Sequence, residues 1–375
     1  MKKFRVVVCG TKFGHVYLSA LTPENTHFQL VGIIAKGSPR SRQYAKEFGV
    51  PLYRKTDELP PNVDIACVVV RSTIAGGEGT NLTLQLMRRG IHVIQEHPVH
   101  HGDVLKCLKQ ARDSGVCYHL NSHYVNVEPI TIFIDYIQKA RKHMQPLFVD
   151  ATASFQTAYS LIDILGRALS GFSPYGFTKP VEWESSLADL NKNDVIPFQC
   201  LQGIIRGVPI TIKLQNYYDP ANFDNYFLIM HRICIGMTSG NLTLVNTHGP
   251  VVWSQTFFVP GYEQQSAVTS FSDRKAVFAA CTELTAVPFT NIKAPSISDI
   301  AVKHWPSAIR LALNRLREEI LTGLVHPGQS EQYLLDLSEV WVQIMRKFGP
   351  SQQVSIPKPS APFPDPLFYR EKMMT

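Results

Sequence analysis

The chain has 375 residues, 45% apolar and 18% charged, which suits two globular domains and excludes a disordered polymer. Its 37 basic and 30 acidic side chains leave a net charge of +7; that favours anionic partners, but no basic stripe interleaved with aromatics argues for nucleic acid. Seven scattered cysteines without a Cys-x-x-Cys pair exclude a disulfide scaffold, and Val6-Val7-Val8-Cys9 is too short for a signal-peptide core. With no run of transmembrane length either, the expectation is a cytoplasmic protein away from membranes.

Phe4–Cys9 reads as a buried strand, followed by a glycine turn and a helical stripe through Tyr17, Leu18 and Leu21. A second strand over Phe28–Ala35 leads to a helix over Pro39–Phe48. Ile65–Val70 is apolar throughout, as a strand covered on both faces must be. A helix over Asn81–Arg89, a strand over Ile91–Gln95, a helix over Val104–Ser114 and a strand over Val116–Leu120 complete the set. Strands alternating with helices at this spacing predict a doubly wound parallel sheet, an α/β Rossmann domain over residues 1–122.

Beyond residue 145 the period changes. Alternating segments at Leu147–Phe155, Gln199–Ile205, Pro209–Tyr217, Asn225–Ile235, Asn241–Val245 and Val251–Val259 are separated by turn signals such as Ser239-Gly240-Asn241. They predict an α+β second domain over residues 123–349 with an open, mostly antiparallel sheet. Amphipathic helices follow over Ala308–Leu321 and Gln332–Lys347, the last expected to pack back on the first domain. A proline-rich extended tail spans 350–375.

The first strand–helix turn, Gly10-Thr11-Lys12-Phe13-Gly14-His15, carries only one glycine of the G-x-G-x-x-G fingerprint in place, with Gly14 one residue off the third. As a motif it is weak, and an ordinary strand-to-helix turn explains it equally well; its position, opening a helix after the first strand, gives it meaning. The second strand ends in Ala35-Lys36-Gly37-Ser38-Pro39-Arg40-Ser41-Arg42, where an NAD enzyme would place an acid for the ribose hydroxyls. Guanidinium and hydroxyl groups suit a 2′-phosphate instead, and cations in a first helical turn are disfavoured unless an anion meets them. NADPH is therefore the expected cofactor, against the plainer reading that Ser38 merely caps a solvated helix.

The strand Gly90-Ile91-His92-Val93-Ile94-Gln95-Glu96-His97-Pro98 delivers an imidazole to the carboxyl edge of the sheet, where ligands bind in open α/β folds. Histidine can donate a proton near neutrality, and Glu96 could hold its ring. Tyr124, in the loop after the next strand, should reach the same edge, with His123 a competing candidate there; a structural histidine behind the sheet edge is the competing reading for His97, and a packing role that for Tyr124. The histidines at 92, 97, 100, 101, 119 and 123 match no zinc spacing, so no metal is expected.

These segments together resemble the glucose–fructose oxidoreductase and inositol dehydrogenase superfamily, which joins a Rossmann domain to an open antiparallel sheet. Two departures stand out: the lysine of that family's Glu-Lys-Pro motif is here His97, and its Asp-x-x-x-His helix motif is here Asp163-Ile164-Leu165-Gly166-Arg167. A sugar dehydrogenase needs that missing base. A closer resemblance is to the thiazolinyl imine reductases of siderophore biosynthesis, of yersiniabactin and pyochelin type. It is carried by Gly10–Leu18, Ala35–Tyr53, Asp64–Gly79 and Gly90–His100, with a looser likeness at Tyr159-Ser160-Leu161-Ile162-Asp163.

What that resemblance implies is NADPH-dependent reduction of a thiazoline C=N to a thiazolidine, on an intermediate held by a carrier domain of a nonribosomal peptide synthetase. His97 and Tyr124 match the general acids proposed for that family. Gly10, Thr11, Lys12, Phe13, Ser38, Arg40, Ser41, Arg42, Arg71, Ser72, Thr73, Glu96 and His97 would line the cofactor site. A homodimer through the open sheet face is also expected. The alternatives are an NADP-dependent sugar or cyclitol dehydrogenase and a non-catalytic NADP-binding partner.

Overall fold

In the computed structural model, which describes residues 3–22, 27–72, 76–192, 195–259, 270–291 and 293–356, the N-terminal half is built around one parallel sheet. Its strands are β1 (Phe4–Cys9), β2 (Phe28–Ile34), β3 (Leu52–Tyr53), β4 (Ile65–Val68), β5 (His92–Glu96) and β6 (Tyr118–Asn121), in spatial order β3-β2-β1-β4-β5-β6. The order reverses between β1 and β4, and the crevice at their carboxyl ends is where such folds bind nucleotides.

The connecting helices are α1 (Gly14–Ala20), α2 (Pro39–Glu47), α3 (Gly79–Arg88) and α4 (His101–Ser114). Alternate residues of β1 serve opposite cores, Val6 and Val8 facing one and Val7 and Cys9 the other, so the strand is apolar throughout. Ser38 caps α2 by accepting from the Ser41 amide at 3.2 Å, with Pro39 in the first turn, the position that tolerates a missing N–H.

The second sheet has eight strands: β7 (Pro146–Ser154), β8 (Tyr175–Phe177), β9 (Gln199–Ile205), β10 (Val208–Gln215), β12 (His231–Met237), β13 (Gly240–Leu244), β14 (Val251–Gln255) and β15 (Ala286–Pro288). Every neighbouring pair is antiparallel except β7 and β10. Helices α5 (Glu128–Ala140) and α6 (Ala158–Ala168) cover one face. The other face carries exposed Phe148 and Ile204 beside a depression of about 800 Å³ that also reaches Asp150, Gln202 and Thr211. Short helices α7 (Ser185–Ala188), α8 (Phe271–Ala279) and α9 (Ile297–Asp299) lie in the connections.

Helix α10 (Trp305–Thr322) departs from the expected division. Although it follows the second sheet in sequence, its Ile309, Ala312, Leu313 and Leu316 pack with α1 and β1. The reason is coverage: β4 and β5 bury Ile65, Cys67 and Ile94 in that same core, and α10 supplies much of the apolar surface against them. The last helix, α11 (Glu331–Phe348), packs against both α4 and α6, with the His101 ring 3.2 Å from the Leu335 carbonyl.

Two strands expected from sequence are shorter than read. The ladder of β12 begins at His231, because residues 219–230 start instead with a turn in which the Asp219 carboxylate accepts from the Ala221 amide at 2.8 Å. Likewise β14 stops at Gln255. Of the proline-rich tail, Gln352–Gln353 (β16) pairs in parallel with Tyr217–Tyr218 (β11), and residues 357–375 lie outside the described part. No helix among the described residues is long and apolar enough to cross a membrane.

Candidate active site

Strand β5 ends by placing Glu96 opposite Asn121 of β6, and the ladder continues one step further through the His97 amide to the Asn121 carbonyl at 3.1 Å. The imidazole is thus delivered at the sheet edge with little freedom. Its Nδ1 lies 2.9 Å from Glu96 Oε1 and 3.2 Å from the Asn121 carbonyl, which assigns the proton to Nδ1 and leaves Nε2 as the outward nitrogen.

Glu96 is itself held. Its second oxygen accepts from the hydroxyl of Tyr17, a fully buried residue of α1, and that hydroxyl accepts from Asn121 Nδ2 at 2.7 Å. Burial and the neighbouring Glu96 charge push the Tyr17 phenol well above its ordinary range, so it stays a donor. Asn121 Oδ1 accepts from the His123 amide and from Asn126, which in turn accepts from Arg315 of α10. A chain of polar groups therefore runs from α10 to His97.

Tyr124 approaches the same imidazole edge-on, with ring centroids 6.3 Å apart, and Tyr159 of α6 lies over it at 5.5 Å. Burial, then the charges of Glu96 and Asp224, push the Tyr124 phenol upward, which keeps its proton at neutral pH. The two residues singled out as acids are thus in direct ring contact. His123 sits against Tyr124 at 4.4 Å, and Tyr124 against His231 at 5.1 Å. Both nitrogens of His123 are buried with no hydrogen-bond partner among the described residues, and its φ of 36° is strained for a residue with a Cβ. Burial, then the nearby histidines His97, His248 and His231, hold that ring neutral. His231 is pushed down to about 3 by burial and is bonded to Ser160 and Thr247.

The dinucleotide side begins at Gly10, whose φ is +90° and whose Cβ, if present, would lie 2.4 Å from the Val69 carbonyl; only glycine fits this turn beside β4. Thr11 behind it is buried, and Phe13 packs against His123 at 5.4 Å. Lys12 and Arg71 both meet Asp224, at 2.8 and 3.6 Å, in the loop before β12, and Arg71 lies over the Phe223 ring at 5.2 Å. Asp224 carries no local motif, and sequence reasoning missed it. The Ser72 hydroxyl donates to the Pro98 carbonyl and ties this loop to the end of β5; Thr73 lies outside the described residues.

At the end of β2, Ser38, Arg40 and Arg42 are exposed, and Arg42 donates to the Gly37 carbonyl. Ser41 is the exception among the expected ligands of this loop. It is fully buried, with its hydroxyl donated to the Ser38 carbonyl at 2.9 Å, so it serves the helix cap. No carboxylate occurs between residues 35 and 42, and the cations and hydroxyls there fit a phosphorylated ribose.

Residues 4–122 match the model of an oxidoreductase family with an NAD-binding Rossmann fold, and residues 144–254 match that of the C-terminal domain of Irp3-like thiazolinyl imine reductases. Together the two matches cover more than half of the chain. The chain is an Irp3-like member of that oxidoreductase family. A nicotinamide dinucleotide is accordingly its cofactor. No curated protein matches it.

Among solved structures it is similar to an oxidoreductase from Agrobacterium radiobacter in complex with NAD+, L-tartaric acid and magnesium (9% identity, TM-score 0.63, 91% of this chain and 95% of that one). It is similar also to UDP-N-acetylglucosamine 3-dehydrogenase GnnA from Acidithiobacillus ferrooxidans (11%, 0.62, 93% and 98%). A third is KijD10, a 3-ketoreductase from Actinomadura kijaniata in complex with TDP-benzene and NADP (14%, 0.62, 94% and 100%). At these identities the likeness concerns the fold.

Within this family member, the position of the helix motif has been put to another use. Arg167 Nε donates to Asp163 Oδ1 at 2.7 Å, and the pair is almost wholly buried. Ser122 and Tyr333 also donate to the Asp163 carboxylate, while Arg167 reaches the Gly328 carbonyl at 3.1 Å. The group joins α6, α11 and the loop after β6, and it places an arginine where that motif has a histidine. Among the described residues, no group of three or more His, Cys, Asp or Glu side chains converges as a metal site would.

Proposed function

We propose that this protein is an NADPH-dependent reductase that converts a thiazoline C=N to a thiazolidine on a siderophore intermediate carried by a nonribosomal peptide synthetase. The observation that carries the reading is the edge-on contact of His97 and Tyr124 at the carboxyl edge of the first sheet, in a chain whose second domain is of the Irp3-like type. When bound, the cofactor supplies a hydride to the imine carbon. Charge then builds on the ring nitrogen, and a positioned acid must protonate it.

His97 presents Nε2 outward because Glu96 and the Asn121 carbonyl occupy Nδ1, and it donates from Nε2 as the doubly protonated ring, returning to the Nδ1–H tautomer. Tyr124 keeps its phenolic proton and adds a second donor. The buried rings of Tyr159 and His123, with the half-buried Phe13, exclude water around them, so a proton held there goes to the substrate. Lys12 and Arg71 face the dinucleotide turn and would take phosphate charge on exchanging their shared partner Asp224 for it, and the cluster at 38–42 favours NADPH over NADH. The missing base at position 167 speaks against oxidation of a sugar or cyclitol.

A homodimer would cover the open face of the second sheet at Phe148 and Ile204. The basic charge suits an acidic carrier domain, and the free cysteines suit a reducing cytoplasm. The test of the chemistry is the double variant His97→Asn, Tyr124→Phe. Its turnover of NADPH should fall by roughly 10²–10⁴-fold while its affinity for NADPH stays near the wild-type value. Full activity would remove both residues as acids.

A further inference from the structure

We infer that Arg54 is a further ligand of the cofactor's 2′-phosphate, delivered from the neighbouring strand; this rests on the NADPH reading above and extends it. Ile34 and Tyr53 are register partners in β2 and β3, so Arg54 leaves the sheet level with Ala35 and Lys36. In this fold the adenosine ribose meets the end of the second strand. The Arg54 guanidinium donates to the Lys36 carbonyl and fills the space where a Cβ of residue 37 would stand: Cζ and Nη1 are each 2.1 Å from that position. Gly37, with φ +80°, is therefore what lets the arginine lie flat on the loop.

Arg42 bonds the next carbonyl, that of Gly37. Two guanidinium groups are thus pinned to consecutive carbonyls of a loop that contains Lys36 and no acid. The nearest bonded carboxylate, Glu58, accepts the Arg54 backbone amide at 2.6 Å. Like charges gathered this way repel one another, and an anion bound there would relieve the repulsion. Each guanidinium has five N–H donors, so one given to a carbonyl fixes the fork and leaves others for phosphate oxygens. Beside it a cleft of about 560 Å³ opens, whose charged lining is Arg54, Lys55, Arg88 and Arg89 against one carboxylate, Asp57.

The test uses binding alone, by calorimetry with 2′,5′-ADP and 5′-AMP as probes. The wild-type protein should prefer 2′,5′-ADP. Arg54→Ala should lose about tenfold or more of that preference with 5′-AMP affinity unchanged, and Arg54→Lys, which keeps the charge but not the fork, should fall between. Unaltered preference in Arg54→Ala, or equal loss for both probes, would overturn the assignment. Equal binding of both probes by the wild-type protein would overturn the NADPH reading and this assignment with it.

Discussion

Replacing Tyr17 with phenylalanine removes one hydroxyl and leaves the ring in the core, where Tyr17 is fully buried. Two groups lose a partner: Glu96 Oε2, which accepts from it, and Asn121 Nδ2, which donates to it at 2.7 Å. A hydrogen bond to a charged acceptor contributes about 1.5–3 kcal/mol, so unfolding free energy should drop by about 2 kcal/mol. The functional loss follows from geometry. With one oxygen unheld, Glu96 can rotate away from Nδ1 of His97, 2.9 Å distant, and the imidazole no longer keeps one orientation. If misorientation costs about 1.4 kcal/mol in the transition state, turnover falls about tenfold. Steady-state NADPH oxidation and thermal melting, measured on one preparation, check both numbers, with the KM for NADPH expected to stay within about twofold. Wild-type turnover together with a wild-type melting curve would refute the view that Tyr17 positions His97 through Glu96.

Exchanging Arg40 and Arg42 for alanine should erode the preference for NADPH over NADH; identical kinetics with both nicotinamides would remove the phosphate assignment at α2. Arg167→Met leaves the Asp163 carboxylate buried without its cation and should cost about 3–5 kcal/mol, read as the shift in a chemical denaturation midpoint. An unshifted midpoint would show that the pair contributes nothing. His231 gives a pH dependence. Its folded form titrates at about 3 because it is buried, whereas the unfolded chain takes up that proton near 6.5. Between those values the unfolded state binds more protons, so stability falls as pH drops, by about 2 kcal/mol from this group at pH 5. His231→Gln should flatten the stability curve below pH 6.5 by that amount, and curves running parallel to wild type would exclude the histidine as a source.

Much of the first domain was legible because its strands are buried on both faces and carry their signal in composition alone. His97 and Glu96 could be read because a buried strand runs into them and ends at Pro98. Tyr17 could not. In sequence it is one more residue of the α1 apolar stripe, and its partner Glu96 is 79 positions away. Arg54 was hidden by the strand before it, only two residues long; the available signal was Gly37, a glycine where a serine-capped helix start does not need one. For α10 the amphipathic pattern predicted a helix, but the pattern says nothing of which sheet it covers. The loop before β12 was misread because alternation over 225–235 outweighed the turn residues Asp219, Pro220 and Asn222.

The most direct measurement follows NADPH absorbance as the protein meets a hydroxyphenyl-thiazoline thioester that mimics a carrier-bound intermediate. The account predicts stoichiometric loss of NADPH with formation of the thiazolidine. An inert thiazoline, with reduction of NADP by the same protein in the presence of a polyol, would contradict it.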